Sequence, residues 1–339
     1  MSTTSQVTDF SDLHTDLQNR VRTTTGITAT ENQAKRYINI ALHDMHLGQE
    51  YRYPWAERRA RLTLHAPYTT GTLSITQGDT ALTGVNTLWN TNNSFAVKNM
   101  RVNGKILING GRTPYIIQTV TNDTSATLSQ RFIETTVTAG TYVYFEDEYD
   151  LASDFMRAVD ARQFSDEAAI DLISRTEFRR RYITSGAPQT PKVATIVDYP
   201  PSGNTTIIRR VTFHPPPSTT MTVPYSYVTK NLAVSALGVE QENLSAATDE
   251  PIVPLRYRHA IVLHGLYNWY RDKRDDARSG EAKAEYTDLM LRIMSDVEVG
   301  APRASFRPRV SSYKRAAQSP YSGGGGMRYD INGKFDRME

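Results

Sequence analysis

The pattern of apolar residues changes twice along this chain, and the two changes limit its possible folds. Between about Leu64 and Asp147, Thr, Val, Ile, Gly and Asn dominate, whereas the flanking residues show helical periodicity. Six short segments in this stretch alternate apolar with polar residues or run apolar, and turn candidates such as Asn103-Gly104 separate them. This spacing predicts a small β-barrel or sandwich inserted into a partly helical chain.

Two amphipathic helices are predicted before this β-rich stretch. The first carries Phe10, Leu13, Leu17 and Val21 at helical spacing. The second is predicted to begin at Thr28, where Glu31 three residues later completes a capping-box pattern, and to end at Gly48. Its apolar stripe comprises Ala34, Tyr37, Ile38, Ala41, Leu42 and Met45.

The chain after the β-rich stretch is predicted to be mixed. Residues 148–190 have mixed helical character, and three strand-like segments follow, around residues 194–200, 205–215 and 221–228. Pro215-Pro216-Pro217 is expected to keep these strands short or at a sheet edge. Residues 260–270 are apolar nearly all round, which is typical of a buried helix, and a second helix should follow the charged residues 275–280.

The last 39 residues have no periodic apolar pattern. Residues 301–339 contain eight Lys/Arg against three Asp/Glu, and Gly323 to Gly326 form a four-glycine run. A segment of this composition cannot bury enough apolar surface to fold alone, so a flexible basic C-terminal arm is expected.

The sequence therefore predicts an α+β protein with four parts. Residues 1–62 are the N-terminal helical part of a body, and residues 63–147 are an inserted all-β barrel or sandwich module. Residues 148–300 complete the body with long C-terminal helices and a small antiparallel sheet, and residues 301–339 are the arm.

Composition excludes several classes of site and location. The chain has no cysteine, which removes disulfides, thiolate zinc sites and cysteine nucleophiles. No apolar run approaches the length of roughly 20 residues that a membrane span needs, and no secretory signal is expected. The net charge of +3 is concentrated in the arm, whereas the β-rich stretch carries five basic and five acidic residues. This neutral module is not expected to bind DNA.

Catalytic motifs are absent from the sequence, so no enzyme activity, catalytic residue, cofactor or metal site is expected. His43 and His46 could share a helix face, but a metal would need a third ligand, so a polar helix face is favoured. His264 is interpreted as a packed or hydrogen-bonded core histidine, and residues 179–181, three consecutive arginines, as a surface or subunit interface.

One acidic run could supply paired carboxylates, which can cleave glycosides. It comprises Glu146, Asp147, Glu148, Asp150 and Asp154. Since the run falls where the β-rich stretch ends, a solvated hinge is the favoured interpretation.

Four segments carry loose motifs in a fixed order. The first is T-x-x-E…Y-I-N-x-A from Thr28 to Ala41, followed by Tyr53-Pro54-Trp55. The second lies in the β-rich stretch and comprises Gly71, Gly84, Asn86, Thr87, Ile106, Tyr115, Val120, Asp123, Thr124, Leu128 and Ser129. The third is Y-D-L-x-x-D-F, comprising Tyr149, Asp150, Leu151, Asp154 and Phe155. The fourth comprises Gly186, Pro188, Phe213, Pro215, Pro217, Tyr225, Tyr227, Asp249, Pro251, Pro254, Tyr286 and Leu289. Over roughly residues 28–298, this order resembles the head-to-tail adaptor (connector) proteins of tailed, especially short-tailed, bacteriophages.

The resemblance implies a structural, non-enzymatic subunit of the virion. Copies would form a homo-oligomeric ring, a dodecamer, that joins the portal protein to the tail nozzle or tail tube protein at the capsid-tail junction. Genomic double-stranded DNA would pass through the lumen without sequence-specific binding, and the β-module could contact tail fibres. Assembly would take place in the host cytoplasm, with no membrane partner.

The arm lies outside the resemblance and is interpreted as a portal-docking segment. Its positive side chains could pair with carboxylates, and its aromatic side chains could fill pockets on the portal. These residues are Arg303, Phe306, Arg307, Arg309, Tyr313, Lys314, Arg315, Tyr321, Tyr329 and Phe335. An arm that grips the exiting DNA is the rival interpretation, although a ring that clung to its cargo would hinder ejection.

Two other functions remain open from the sequence. The β-module and the acidic run also suit a carbohydrate-binding or depolymerase component of the phage tail. The sequence pI of about 8.9 also suits a nucleic-acid-binding protein, which would bind duplex through the arm in a salt-dependent way.

Overall fold

The structure, a computed structural model, describes residues 7–22, 27–47, 53–159, 162–164, 169–182, 187–199, 208–300, 328–329 and 335–336. These residues form an α+β protein, as predicted. The chain divides into two compact units. One contains Asp12–Pro54 and the chain from Leu255 onward, and the other contains Trp55–Pro254.

Five helices are present in the described residues: α1 (Phe10–Val21), α2 (Thr28–Leu47), α3 (Arg175–Arg181), α4 (His259–Asp272) and α5 (Asp276–Gly300). Both predicted N-terminal helices are confirmed, although Glu31 forms an ion pair with Lys35, at 2.6 Å. The predicted buried helix is α4, in which eight residues between Ala260 and Trp269 are buried. Helix α5 begins at Asp276, inside the predicted charged break, because Asp275 Oδ1 accepts a hydrogen bond from the Arg278 amide.

The helical unit has its core where α1, α2 and α4 meet. A Cβ added at Gly265 of α4 would lie 3.4 Å from Ile38 Cδ1 and 3.5 Å from Leu17 Cδ2. The Tyr37 ring meets the Trp269 ring edge-on, with centroids 5.6 Å apart. At these distances an added methyl group would make ordinary van der Waals contact, so α4 packs closely on α1 and α2 at this position.

The strands of the second unit are β1 (Glu57–Leu64), β2 (Thr72–Ile75), β3 (Ala81–Val85), β4 (Lys105–Ile108), β5 (Tyr115–Asn122), β6 (Ser125–Leu128), β7 (Val137–Gly140), β8 (Tyr142–Phe145), β9 (Glu148–Asp150), β10 (Phe155–Ala158), β11 (Arg162–Phe164), β12 (Ala169–Leu172), β13 (Val193–Tyr199), β14 (Ile208–His214), β15 (Met221–Thr229), β16 (Ala233–Val234), β17 (Glu240–Gln241) and β18 (Glu250–Pro251). The remaining pair, β19 (Arg328–Tyr329) and β20 (Phe335–Asp336), is antiparallel.

All six predicted strands of the β-rich stretch are confirmed, and they form one curled antiparallel sheet with β7. The strand order is β7-β2-β3-β6-β5-β4-β8. Alternate residues of each strand turn to one face, as in β3, where Leu82 and Gly84 are buried between exposed neighbours. That face packs around Trp89, Tyr115 and Phe132, which are fully buried.

Three smaller sheets make up the rest of the second unit. A five-stranded sheet has the order β11-β12-β13-β14-β9, in which only β12 and β13 run parallel among the described pairs. The three-stranded sheets have the orders β1-β15-β10 and β17-β16-β18. Strands β13, β14 and β15 confirm the three strand-like segments predicted after residue 190.

Two predictions about this part of the chain are wrong. Residues 148–190 contain strands β9 to β12 in addition to the single short helix α3, because the edges of β14, β15 and β13 offer partners that are distant in sequence. The prolines do not confine these strands to sheet edges. Strand β15 is central although it contains Pro224, since β10 pairs only with residues 227–229 and leaves the proline nitrogen without a strand to bond.

The two connections of the β-rich stretch run side by side. Tyr68 and Tyr144 exchange backbone hydrogen bonds of 2.8 and 2.9 Å. Nearby, the His65 amide donates to the Tyr149 hydroxyl at 3.2 Å. The chain therefore enters and leaves the seven-stranded sheet at neighbouring positions, as an inserted module requires. The boundaries of the predicted module, residues 63 and 147, stay a prediction.

Candidate functional site

The third and fourth sequence motifs meet in space, between the smaller sheets. The Tyr149 and Phe213 rings are 5.9 Å apart, and the Phe155 ring stacks on Tyr227 at 5.5 Å. All four side chains are at least nine-tenths buried. The two motifs, which lie some 60 to 70 residues apart in the chain, therefore build one aromatic core.

Asp154 fastens this core by hydrogen bonds. Its carboxylate accepts from the Tyr227 hydroxyl at 2.8 and 2.9 Å and from the Thr229 hydroxyl at 2.8 Å. Both donors are buried, so the carboxylate satisfies groups that have no access to water. The motif aspartate is thus a structural residue that ties the chain before β10 to the end of β15.

The acidic run is ion-paired, and its interpretation as a solvated hinge is wrong for Glu146 and Asp147. Arg101 holds Glu146 with two guanidinium nitrogens, and Lys105 Nζ lies 2.6 Å from Asp147 Oδ2. The Asp147 side chain is only 5% exposed. Both cations come from the chain around β4, about 40 residues earlier, which the local sequence cannot reveal.

Part of the second motif, Asn86 and Thr87, forms the turn after β3. Thr87 is fully buried, and its hydroxyl donates to the Asp123 carbonyl at 2.5 Å. The Asp123 carboxylate accepts from the Asn90 amide at 2.8 Å. A side chain at Gly84 would overlap the Thr87 hydroxyl and approach the Trp89 ring to 2.9 Å, so this position admits only glycine without rearrangement.

Asp249 of the fourth motif closes the loop before β18. Its Oδ2 accepts from the Ser245 and Ala246 amides, at 2.8 and 2.7 Å, and from the Ser245 hydroxyl at 3.0 Å. Burial acts to raise the pKa of Asp249, but these hydrogen bonds outweigh it and hold the pKa below the ordinary value of an aspartate. The carboxylate is therefore ionised and structural at neutral pH.

The histidines take structural positions. His46 is buried with its Nδ1 2.8 Å from the Leu42 carbonyl oxygen, so the expectation of a polar helix face is wrong for this residue. Its ring packs against Tyr53, which covers the end of α2. His264 is packed as predicted, 4.7 Å from the Tyr286 ring. Within the described residues, no three His, Asp or Glu side chains could hold a metal ion together.

The arginine cluster lies on the surface. Helix α3 buries no side chain, and Arg181 pairs with Glu177 at 2.7 Å. The surface location predicted for residues 179–181 is confirmed, whereas their role at an interface stays a prediction. Helices in the described part of the chain are too short or too polar to cross a membrane.

Of the predicted docking residues of the arm, all except Tyr329 and Phe335 lie outside the described residues. Only the backbones of Tyr329 and Phe335 are described, and they pair within β19 and β20. The docking role of residues 301–339 stays a prediction.

An exposed apolar turn joins β16 to β17, and no sequence motif predicted it. Leu237 is 91% exposed and Val239 is 61% exposed. The turn is nonetheless ordered by hydrogen bonds, since the Ser235 amide donates to the Val239 carbonyl at 2.9 Å and the Val239 amide donates to the Ser235 hydroxyl at 3.1 Å. At its base, Glu240 forms an ion pair with Arg58.

A family model described as SU10 adaptor protein matches residues 114–312, more than half of the chain. The chain belongs to the SU10 adaptor protein family. It is therefore a phage adaptor protein, and the family is structural and not an enzyme class. No curated protein matches the chain.

The region matched by the SU10 adaptor model begins just before β5 and extends beyond α5. It includes the third and fourth motifs, and therefore the aromatic core, Asp154 and Asp249. Among the residues that gave the resemblance in this region, the four core aromatic residues, Asp154 and Asp249 make contacts that hold the fold together.

Proposed function

We propose that this SU10-family adaptor is the head-to-tail adaptor of a tailed phage. Copies form a closed dodecameric ring that joins the portal protein to the tail nozzle or tail tube protein, and the genomic DNA leaves through the lumen. The family match over residues 114–312 carries the proposal. The structural roles of Asp154 and Asp249 support it, because an assembly subunit needs motifs that fix its shape.

Ring closure requires contact between two different patches of neighbouring copies. The β16–β17 turn, residues 235–239, is suited to one of these patches. Leu237 offers an apolar side chain, and burial of a leucine contributes about 1.5 to 3 kcal/mol. Because internal hydrogen bonds already order the turn, little conformational entropy is lost when a partner binds it. We assign this turn to the contact with the neighbouring copy.

The substitution Leu237→Asp tests this contact. An aspartate at a site that is 91% exposed leaves the folding of the subunit unchanged but places a charge in the proposed interface. The matched control is Ile133→Asp, which changes another exposed apolar side chain, 69% exposed, in the loop between β6 and β7. Electron microscopy of each variant mixed with portal should show rings for the control and none for Leu237→Asp. If Leu237→Asp forms complete rings, the turn is not part of the interface.

The arm, residues 301–339, is proposed to dock on the portal through its basic and aromatic residues. The β-module, residues 63–147, is proposed to lie at the periphery of the ring, where it could contact tail fibres. The chain enters and leaves the module at neighbouring positions, near His65 and Tyr149, so a short Gly/Ser linker can replace the module. The resulting protein should keep portal docking and lose attachment of a peripheral tail part.

A further inference from the structure

A polar pocket opens beside the seven-stranded sheet, within the second unit. Its cavity volume is about 210 Å³. Its walls come from the segment after β1, the loop that joins β3 to β4, the end of β8 and the residue before β15. The lining residues are His65, Ala66, Pro67, Tyr68, Asn93, Ser94, Phe95, Asn99, Arg101, Tyr144, Glu146 and Thr220. This volume is below the roughly 300 to 1,000 Å³ of sites for drug-sized ligands, which suits a small ligand, and the lining is more polar than in most such sites.

A fixed hydrogen-bond network forms part of the lining. Glu146 Oε1 accepts from Arg101 Nε at 2.6 Å and from the Tyr144 hydroxyl at 2.8 Å. The Tyr144 hydroxyl in turn accepts from the Arg101 amide at 2.9 Å. The Arg101 and Glu146 side chains keep 23% and 12% of their surface exposed, so they remain accessible from the pocket. These planar groups are preorganised to bond a polar ligand.

Two asparagines add hydrogen-bonding groups that the fold does not use. Asn93 Oδ1 accepts from the Phe95 and Val97 amides, and Asn99 Nδ2 donates to the Leu88 carbonyl. Within the described part of the chain, the amide nitrogen of Asn93 and the amide oxygen of Asn99 make no hydrogen bond. One donor and one acceptor are therefore held in place for a ligand.

The charges of the pocket balance. The Arg101 guanidinium and the Glu146 carboxylate neutralise each other. Burial, and then the nearby Arg101, lower the pKa of His65, so its ring is neutral at pH 7. A site without net charge has no Coulombic preference for phosphate or carboxylate ligands. The chemistry favours a neutral ligand that is rich in hydroxyl or amide groups.

The rim of the pocket carries an aromatic side chain. Phe95 is 53% exposed, and its ring lies 6.1 Å from the His65 ring. An exposed aromatic ring beside planar hydrogen-bonding groups can pack against the C–H face of a pyranose while those groups bond its hydroxyls. A peptide strand is a poorer occupant, because Tyr68 and Tyr144 already satisfy each other's backbone groups at this edge.

We infer that this pocket binds a neutral saccharide, with Phe95 as the platform and Asn93, Asn99, Arg101 and Glu146 as the hydrogen-bonding groups. Such an adaptor would contact a glycan in addition to its protein partners. The inference does not depend on ring formation, since the whole pocket lies within one subunit.

The test is a titration of the full chain with the methyl glycosides of glucose, galactose, mannose and N-acetylglucosamine. Binding is detected by ligand-observed NMR. Glucuronic acid and inorganic phosphate are titrated as charged probes. We expect at least one neutral glycoside to bind, and Phe95→Ala to weaken its affinity about tenfold. Phe95→Tyr should restore binding, because it keeps the aromatic platform. The control Ile133→Ala, on an exposed side chain outside the pocket, should bind as the unaltered protein does.

Three results would overturn the inference. These are the absence of binding by every neutral glycoside, binding of only the charged probes, and an affinity that Phe95→Ala leaves unchanged. The circular dichroism spectrum of Phe95→Ala is compared with that of the unaltered protein. If the two spectra match, a loss of binding is caused by the missing aromatic ring and not by unfolding.

Discussion

Removal of the Asp154 carboxylate should destabilise the second unit strongly. Asp154→Ala deprives the Tyr227 and Thr229 hydroxyls of their acceptor, and both hydroxyls belong to buried residues. A hydrogen bond to a charged group contributes about 1.5 to 3 kcal/mol, so the loss of two lowers the free energy of unfolding by about 3 to 6 kcal/mol. This is a large part of the roughly 5 to 15 kcal/mol that stabilises a typical native domain.

The assay is urea unfolding, monitored by far-ultraviolet circular dichroism. With a denaturant slope of about 3 kcal/mol per molar urea, the midpoint should fall by about 1 M or more. The control is Asp288→Ala, which breaks a surface ion pair with Arg292 whose side chains are 62% and 75% exposed. Its effect should stay within about 0.5 kcal/mol. Equal midpoints for the two variants would refute the structural role of Asp154.

Three further predictions concern stability and docking. Gly84→Ala should lower the free energy of unfolding by about 1 to 3 kcal/mol, because the added methyl group overlaps Thr87. Gly280→Ala in α5, where the added methyl group meets open space, should raise the free energy of unfolding by about 0.5 to 1 kcal/mol. The urea midpoints of the two variants distinguish these effects. The folded-state pKa of Asp249 lies below its unfolded value, so the contribution of Asp249 to stability is complete above about pH 4 and is lost as the pH falls through the folded pKa. The substitution Asp249→Asn should therefore reduce the loss of stability at acidic pH in unfolding curves measured from pH 2 to 7. Deletion of residues 301–339 should abolish portal binding in co-sedimentation while the rest of the chain keeps its circular dichroism spectrum, whereas a lost affinity for duplex DNA would favour the rival interpretation of the arm.

Local patterns in the sequence were enough to predict elements that a nearby turn or a single buried face defines. The six strands of the β-rich stretch alternate or run apolar between turn residues, and α4 is apolar nearly all round, so both could be found without tertiary information. The fold class and the adaptor family followed from these elements and from the order of the motifs.

Elements that depend on distant partners could not be predicted in this way. Strand β1 carries three arginines and has no strand signal, yet it pairs with β15 over eight residues, about 160 positions later. Strands β9 and β10 are only three and four residues long, and β14 and β15 determine their conformation.

The candidate sites show the same limit. The sequence revealed Asp154 and Glu146 as acidic residues, but Tyr227, Thr229 and Arg101, which determine their roles, become neighbours only through the sheets. The exposure of Leu237 and Phe95 depends on which loops remain uncovered after folding, and side-chain type alone does not predict it.

The central claim is that copies of this adaptor form a ring between portal and tail. A cryo-electron microscopy reconstruction of the virion at the capsid-tail junction tests it most directly, because the position and number of copies are read from a single map. The account predicts a closed ring of twelve copies in contact with the portal on one side and with the nozzle or tail tube on the other. A single copy at the junction, or copies located at the tips of tail fibres, would contradict it.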